Sequence, residues 1–308
     1  MKITSFPRPA RQRTFLRLGI ILLITTCAVV LFMNLREKDN PAPGSVEDWA
    51  RTMDDRVPAL MAQYQVPGIS MALIRDGKIA WTSAYGYARL DPPRSMTIET
   101  PCRVESISKS VTAWGVMHLV QKGLIDLDTP VASYLGSWRL PETPYEEEEV
   151  TVRRLLSQTA GMPLGSIGVR YDPEGPLPGL DDHLSREAVL FREPGTSFAY
   201  SNAGYNLLEL LIEKVTGEDF ASYMAREVLS PLGMENSGFL WNREWEPGVP
   251  DGHDTDGSAI PVYVYPDKAS GGLFAPVLSP PPCPASATAA AGFWKKGTLK
   301  PSTPIRRS

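Results

Sequence analysis

A serine and a lysine stand three residues apart, at Ser106 and Lys109, in a stretch that predicts a helix over residues 106–122. Residues i and i+3 of a helix project from the same side, about 60° apart in projection, so the hydroxyl and the amine come together. Apolar residues point in nearly every direction around this helix, which predicts that it is buried between other layers. A buried lysine loses hydration, so its pKa falls and its neutral amine can accept a proton from the serine.

Two more polar side chains, Tyr200 and Asn202, stand directly before an amphipathic stretch that predicts a helix closed by Gly217. A tyrosine hydroxyl beside a lysine amine can share in proton transfer. An asparagine amide offers both a donor and an acceptor to an amide substrate. The two pairs together have the residue types needed for nucleophilic acyl transfer.

Each of these four residues also has an ordinary structural role open to it. Lys109 can extend its charge to solvent along the surface, with Ser106 only capping the helix. Tyr200 can be a core residue and Asn202 a helix cap. Residue types and spacing alone leave both sets of roles open.

The elements around these residues predict an α+β fold with an antiparallel sheet. The β-rich runs "GISMALIR" and "KIAWTSAYGYA" flank Asp76-Gly77, a two-residue loop of the kind that closes hairpins. Ser45 is placed to cap the helix that precedes them. The remaining predicted elements are a short helix ended by Gly161, a loop over residues 162–183 and a helix over residues 219–231.

Composition excludes several function classes. The net charge of −4 and a pI near 5.6 give no basic surface for nucleic acid. Three scattered cysteines and three scattered histidines show no metal-ligand spacing, so the sequence predicts no metal site and no cofactor. P-loop, dinucleotide-binding and G-x-S-x-G motifs are absent from the sequence.

The N-terminus predicts a membrane anchor. Arginines in residues 1–17 precede an uncharged apolar run, and residues 18–35 are close to the lower limit for spanning a bilayer. Because basic flanking residues stay on the cytoplasmic side, this segment is expected to cross the cell membrane once. The rest of the chain is then placed outside the cytoplasm. A cleaved signal peptide and a lipoprotein site at Cys27 are the less favoured alternatives. Residues 36–44 form the linker to the folded part.

Residues 278–308 differ in character from the rest of the chain. They contain no acidic residue and are rich in proline and alanine, with no periodic apolar pattern. The sequence therefore predicts a disordered tail, with the folded domain over residues 45–277.

Five stretches, taken in order, resemble the serine β-lactamase and penicillin-binding protein-like family, in the branch of class C β-lactamases, D-alanyl-D-alanine carboxypeptidases and related esterases. They are "GISMALIRDGKIAWTSAYGYA", "RVESISKSVTAWGVMHLVQKGLIDLDTPVASYL", "VTVRRLLSQTAGM", "PGTSFAYSNAGYNLLELLIEKVTG" and "VLSPLGMENSGF". The resemblance implies an antiparallel sheet flanked by helices, plus an all-helical subdomain. It also implies a small-molecule or peptidoglycan-type substrate.

The same resemblance assigns roles to the four polar residues. Its S-x-x-K motif implies Ser106 as the acylated nucleophile and Lys109 as the base, and its Y-x-N motif implies Tyr200 as a catalytic partner and Asn202 as a substrate-binding residue. The family's third motif, K-T-G-like or H-x-G, is not visible, so the C-terminal strands of the sheet are expected to be missing. A non-catalytic remnant or surface binding module is therefore the alternative to a serine hydrolase.

Overall fold

The computed structural model describes residues 44–165, 169–241, 248–254 and 256–278. The segments 1–17 and 18–35, most of the linker and nearly all of the tail lie outside these residues. None of the helices within the described ranges is long and apolar enough to cross a membrane. Within the described ranges, the chain divides into two compact units between Arg56 and Val57.

Helices and strands occur in separate runs along the chain, as is typical of an α+β protein. The α-helices are α1 (Val46–Tyr64), α2 (Ser108–Gln121), α3 (Val152–Leu156), α4 (Leu180–Glu187), α5 (Asn202–Thr216) and α6 (Phe220–Met224). The strands are β1 (Gly68–Arg75), β2 (Lys78–Leu90), β3 (Pro93–Ser95), β4 (Cys102–Arg103), β5 (Gly252–His253), β6 (Ala259–Ile260) and β7 (Phe274–Ala275).

An antiparallel sheet in the order β1-β2-β3 is the largest sheet of the described residues. Strands β1 and β2 pair from Gly68↔Gly86 to Arg75↔Lys78, so the predicted hairpin turn at Asp76-Gly77 is confirmed. Two short antiparallel pairs complete the β structure, β4 with β7 and β5 with β6. The β4–β7 pair is the one that matters for the site, because β4 leads directly into the turn before α2.

The first helix begins as predicted. The Ser45 hydroxyl accepts a hydrogen bond from the Asp48 amide at 3.1 Å, which satisfies one of the free amides of the first helical turn. The helix continues through Pro58 and ends at Tyr64.

The core is built around α5. The sequence predicted the wrong helix as the one that is buried on all sides. Every residue from 203 to 212 of α5 is buried, so this helix is enclosed on all sides over most of its length. Helix α2, expected to be fully enclosed, instead buries one face, and Trp114 on its other side is 40% exposed. Apolar residues on all sides of a helix show that the helix can be buried on all sides. Whether it is buried depends on the elements that pack against it.

A close contact explains how α2 sits on the core. Gly115 lies against α6, where a Cβ atom would come within 2.4 Å of the Met224 sulfur. The Tyr223 hydroxyl donates to the Gly115 carbonyl at 3.1 Å. Because glycine has no side chain, α2 and α6 can approach each other closely at this point.

Three boundaries differ from the predicted ones. Helix α3 ends at Leu156, well before Gly161, because Gln158 already adopts a left-handed φ of 58°. Helix α4 begins inside the predicted loop, at Leu180. The predicted helix over residues 219–231 is α6 followed by a π-helical turn, Ala225–Leu229, and a 3₁₀ turn, Ser230–Leu232.

Candidate active site

Ser106 and Lys109 meet at the start of α2. A 3₁₀ turn, Glu105–Ile107, carries Ser106 into the helix, and the Lys109 amine lies 3.3 Å from the Ser106 hydroxyl oxygen. Ser106 is exposed, whereas Lys109 is only 5% exposed. Neither helical segment has a side-chain cap, so the alternative roles of a capping serine and a solvated lysine do not fit the structure.

The Lys109 amine is held by two acceptors besides the serine. It donates to the Asn202 side-chain oxygen and to the Ser270 carbonyl, both at 2.7 Å. Burial lowers the pKa of Lys109, although interactions with Tyr200 and Glu105 oppose this. A neutral amine becomes accessible nearer neutral pH, which is the property that a base for Ser106 needs.

Tyr200 lies beside Lys109 and lines the cavity in front of Ser106. The Lys109 nitrogen lies 4.8 Å from the centre of the Tyr200 ring, and the ring is 41% exposed, so Tyr200 is not a core residue. Burial works to raise the pKa of Tyr200, but interactions with Lys109 and Ser106 outweigh it and the pKa is lowered. Helix α5 is capped by Ser201, whose hydroxyl accepts from the Gly204 amide at 2.8 Å. This leaves the Asn202 side chain free for Lys109.

A segment that the sequence analysis did not single out completes the site. Residues 267–273, called here the pinned segment, run beside α2 and are fixed to it at three points. The Thr112 hydroxyl donates to the Ala269 carbonyl at 2.9 Å, Lys109 to Ser270, and the Leu273 amide to the Ser108 hydroxyl at 3.0 Å. The Ser270 carbonyl is a backbone atom, so no side-chain pattern could have marked it.

A buried carboxylate fixes the same segment to α5. One oxygen of Glu209, which is 0% exposed, accepts the Lys268 amide at 2.6 Å and the Ala269 amide at 2.7 Å. Burial raises the pKa of Glu209 to about 7, while Lys268 opposes the rise. The signal for this residue was in the sequence, as one charge inside the apolar run "NLLELLI".

A cavity of about 230 Å³ opens in front of Ser106. Its lining includes Tyr200 and Asn202 together with His183, one of the three histidines to which the sequence analysis gave no functional role. A larger cavity of about 630 Å³ contains none of the four predicted residues, so the smaller one is the candidate site. Within the described ranges, no group of three acidic, histidine or cysteine side chains is arranged to hold a metal ion.

Known proteins are similar to this chain in sequence. "Protein flp" of Staphylococcus aureus (strain MRSA252) is 28% identical over 205 residues, which cover 66% of this chain and 40% of that protein. "Penicillin-binding protein 4*" of Bacillus subtilis (strain 168) is 31% identical over 215 residues, covering 67% of this chain and 46% of that protein. The chain therefore spans less than half the length of these two curated relatives.

Solved structures agree with the sequence relatives. The octameric penicillin-binding protein homologue from Pyrococcus abyssi superposes with a TM-score of 0.63 at 29% identity, covering 79% of this chain and 55% of that one. A class C beta-lactamase superposes with a TM-score of 0.64 at 21% identity, covering 82% of this chain and 67% of that one, which shows a shared fold. The family model described as Beta-lactamase matches residues 53–294, well over half of the 308 residues. The chain thus belongs to the beta-lactamase family, a serine β-lactamase and penicillin-binding protein-like family.

Proposed function

We propose that this protein is a serine hydrolase of the β-lactamase and DD-peptidase type, acting on cell-wall peptide, β-lactam or ester substrates. The observation that carries the proposal is the contact between the buried Lys109 amine and the Ser106 hydroxyl at 3.3 Å, on the wall of an open cavity. A hydroxyl beside a desolvated amine has the arrangement of an activated nucleophile.

The reaction proceeds through an acyl-enzyme. Lys109 takes the proton of the Ser106 hydroxyl as its oxygen attacks the substrate carbonyl and forms a C–O bond. The scissile C–N or C–O bond breaks, and the leaving group takes the proton from Lys109 by way of Tyr200. Water then attacks the acyl carbon and releases Ser106 by the same proton route in reverse.

Two further roles complete the proposal. The amide N–H of Ser106, in the turn that opens α2, serves as one hydrogen-bond donor to the oxyanion. Asn202, which already holds Lys109, binds the amide of the substrate. No metal or cofactor takes part in this mechanism.

The test is covalent labelling of the full chain by a fluorescent penicillin and by a fluorophosphonate, located by mass spectrometry. We expect an adduct on Ser106 that disappears in Ser106→Ala and persists in Ser110→Ala, because Ser110 is an exposed serine of the same helix. Lys109→Met should slow labelling by about 10²-fold or more, since it removes the base. Folded protein that forms no adduct on Ser106 with either probe would contradict the proposal.

We also propose that residues 18–35 anchor the protein in the cell membrane with the hydrolase outside the cytoplasm. The support is the uncharged apolar run after a cluster of arginines. The full chain should stay with membranes during alkaline extraction, and deletion of residues 1–35 should release it. Release of the full chain by alkaline extraction would contradict the anchor.

A further inference from the structure

A second polar cluster lies in the same cavity, beyond the residues used for catalysis. Asn206 follows Asn202 by one turn of α5, and both line the cavity. Residues i and i+4 share a face of a helix, separated by a rise of about 6 Å. A substrate whose amide meets Asn202 can therefore extend a side chain of that length towards Asn206.

Asp267 and His183 complete the cluster at this end. Asp267 is 6% exposed, His183 is 7% exposed and Asn206 is 4% exposed, and all three line the cavity. One oxygen of Asp267 receives the Asn206 amide nitrogen at 2.7 Å and lies 3.1 Å from the His183 Nε2. Two polar side chains, one from α4 and one from α5, thus converge on the single carboxylate of the pinned segment.

The cluster is short of hydrogen-bond donors. The second oxygen of Asp267 and the side-chain oxygen of Asn206 are both buried, and neither has a partner among the described residues. A buried acceptor without a donor costs about 1 to 3 kcal/mol, so a ligand that supplies N–H groups there gains free energy.

The charges around the cavity favour a cation. The lining carries two carboxylates, Asp267 and Glu105, of which Glu105 lies 3.7 Å from the Arg103 side chain, and no lysine or arginine is among the described residues that line it. The cation nearest to the nucleophile is Lys109, whose pKa burial lowers. His183 is the one lining group that can offset Asp267 by taking a proton.

We propose that this end of the cavity is a subsite for a positively charged amine on the acyl part of the substrate, with Asp267 as the residue that selects it. The acyl part is the portion that stays on Ser106, so the inference rests on the proposed function. It narrows the substrate class to amine-bearing peptides, amides or esters. The Asp267 carboxylate and the Asn206 oxygen accept the N–H groups of the amine.

The state of His183 sets the conditions for a test. The hydrogen bond with Asp267 raises the pKa of His183 against the effect of burial, and Glu187 adds to the rise while Arg186 opposes it. An imidazolium would compete with the amine for Asp267. Binding is therefore compared at about pH 8.5, about two units above the ordinary pKa of imidazole, which reduces this competition while a lysine amine, with a pKa of about 10, stays charged.

The experiment is calorimetric titration of full-length Ser106→Ala protein, which cannot turn over its ligand, with two peptides. One is Nα-acetyl-L-lysyl-D-alanyl-D-alanine, and the other is the same peptide with the ε-amine also acetylated. We expect the free amine to bind about 10-fold more tightly or better. The preference should fall below about threefold when Asp267→Asn is added, and it should survive Asp76→Asn, the same change at the hairpin turn outside the cavity lining.

A second measurement does not depend on the fold of the Asp267 variant. In Ser106→Ala protein without further changes, the free-amine peptide should lower the pKa of His183 measured by NMR, because a cation beside Asp267 repels the imidazolium. The doubly acetylated peptide should not. Equal affinity for the two peptides, a preference that survives Asp267→Asn, or no binding of either peptide would overturn the subsite. Failure of the proposed function has a different signature, the absence of covalent labelling of Ser106 in the unaltered chain.

Discussion

At the scale of single residues, Glu209 is costly to bury, since its carboxyl group has no exposure to water. The hydrogen bonds from Lys268 and Ala269 satisfy one of its oxygens, and the Lys268 amine lies 3.3 Å from the other. The pinned segment that holds Lys109 therefore depends on this side chain. Its replacement by leucine would leave two amides without an acceptor, each at a cost of about 1 to 3 kcal/mol.

The raised pKa of Glu209 predicts a particular dependence of stability on pH. The pKa is about 7 in the folded protein against an ordinary value of 4.5, so between these values the folded state binds more protons than the unfolded state. The stability that this group contributes is complete below about pH 4.5 and is lost as the pH rises through 7, by about 3 kcal/mol in all. Denaturant unfolding from pH 4.5 to 8 measures the change.

The matched variants isolate the group. Glu209→Gln cannot ionise and should remove this fall, whereas Glu235→Gln, on the exposed surface, should keep it. An unchanged slope in Glu209→Gln would show that other groups carry the pH dependence.

Short-range geometry fixes the relations within each predicted pair, whereas the contact between the pairs, from Lys109 to Asn202, joins residues 93 apart in sequence and comes from the fold. Ser106 and Lys109 are joined by one helical turn, and Tyr200 and Asn202 by two residues of chain. Glu209 and Asp267 could not be predicted in the same way, since their roles depend on a segment about 60 residues from α5 in sequence. Long-range hydrogen bonds to backbone atoms leave little trace in residue types.

At the scale of elements, the sequence predicted the helices and the hairpin better than their surroundings. Helix α5 was expected to bury a stripe and buries all its faces, whereas α2 shows the opposite error. Periodicity describes one helix at a time, and enclosure depends on what packs against it. The contact of Gly115 with Met224 involves two helices, so the need for glycine at this position can be recognised only when the position of α6 is known.

One added methyl group in the connection between α3 and α5 should strongly lower the stability of the protein. Gly161 has a φ of 73°, and a Cβ atom there would lie 2.3 Å from the Arg192 carbonyl oxygen. We expect Gly161→Ala to cost about 3 kcal/mol or more, from left-handed strain plus a backbone collision. Labelling of Ser106 should slow as well, because Pro163 and Leu164 bind Ser201 and Asn202 through their carbonyls.

Gly123 provides the control for this change. It has a φ of 70° with nothing within 4 Å of the added atom, so Gly123→Ala carries the strain without the collision. Its cost should be about 1 kcal/mol, measured like the other by denaturant unfolding. Equal costs for the two variants would mean that the Arg192 segment moves aside freely.

At the scale of the whole molecule, the hairpin of β1 and β2 lies apart from the hydrophobic core, because none of its residues belongs to the buried core cluster. Strand β1 pairs with β2 and with no other strand of the described residues, so its second edge has no strand partner there. Ile74 and Ile79 face each other across the hairpin and are 67% and 53% exposed. An unpaired strand edge with exposed isoleucines is an apolar surface that a second strand can approach.

Such an edge predicts self-association through strand pairing. A lysine on an edge strand opposes the approach of a second strand, so Ile74→Lys should slow aggregation at least several-fold, with little change in the unfolding temperature. Static light scattering during incubation measures it. Leu240→Lys is the control, because Leu240 is 60% exposed but belongs to no strand, and we expect it to have a smaller effect. Of the two positions, only Ile74 lies on the β1 edge. If both lysines slow aggregation equally, exposed apolar area in general is responsible and strand pairing is not.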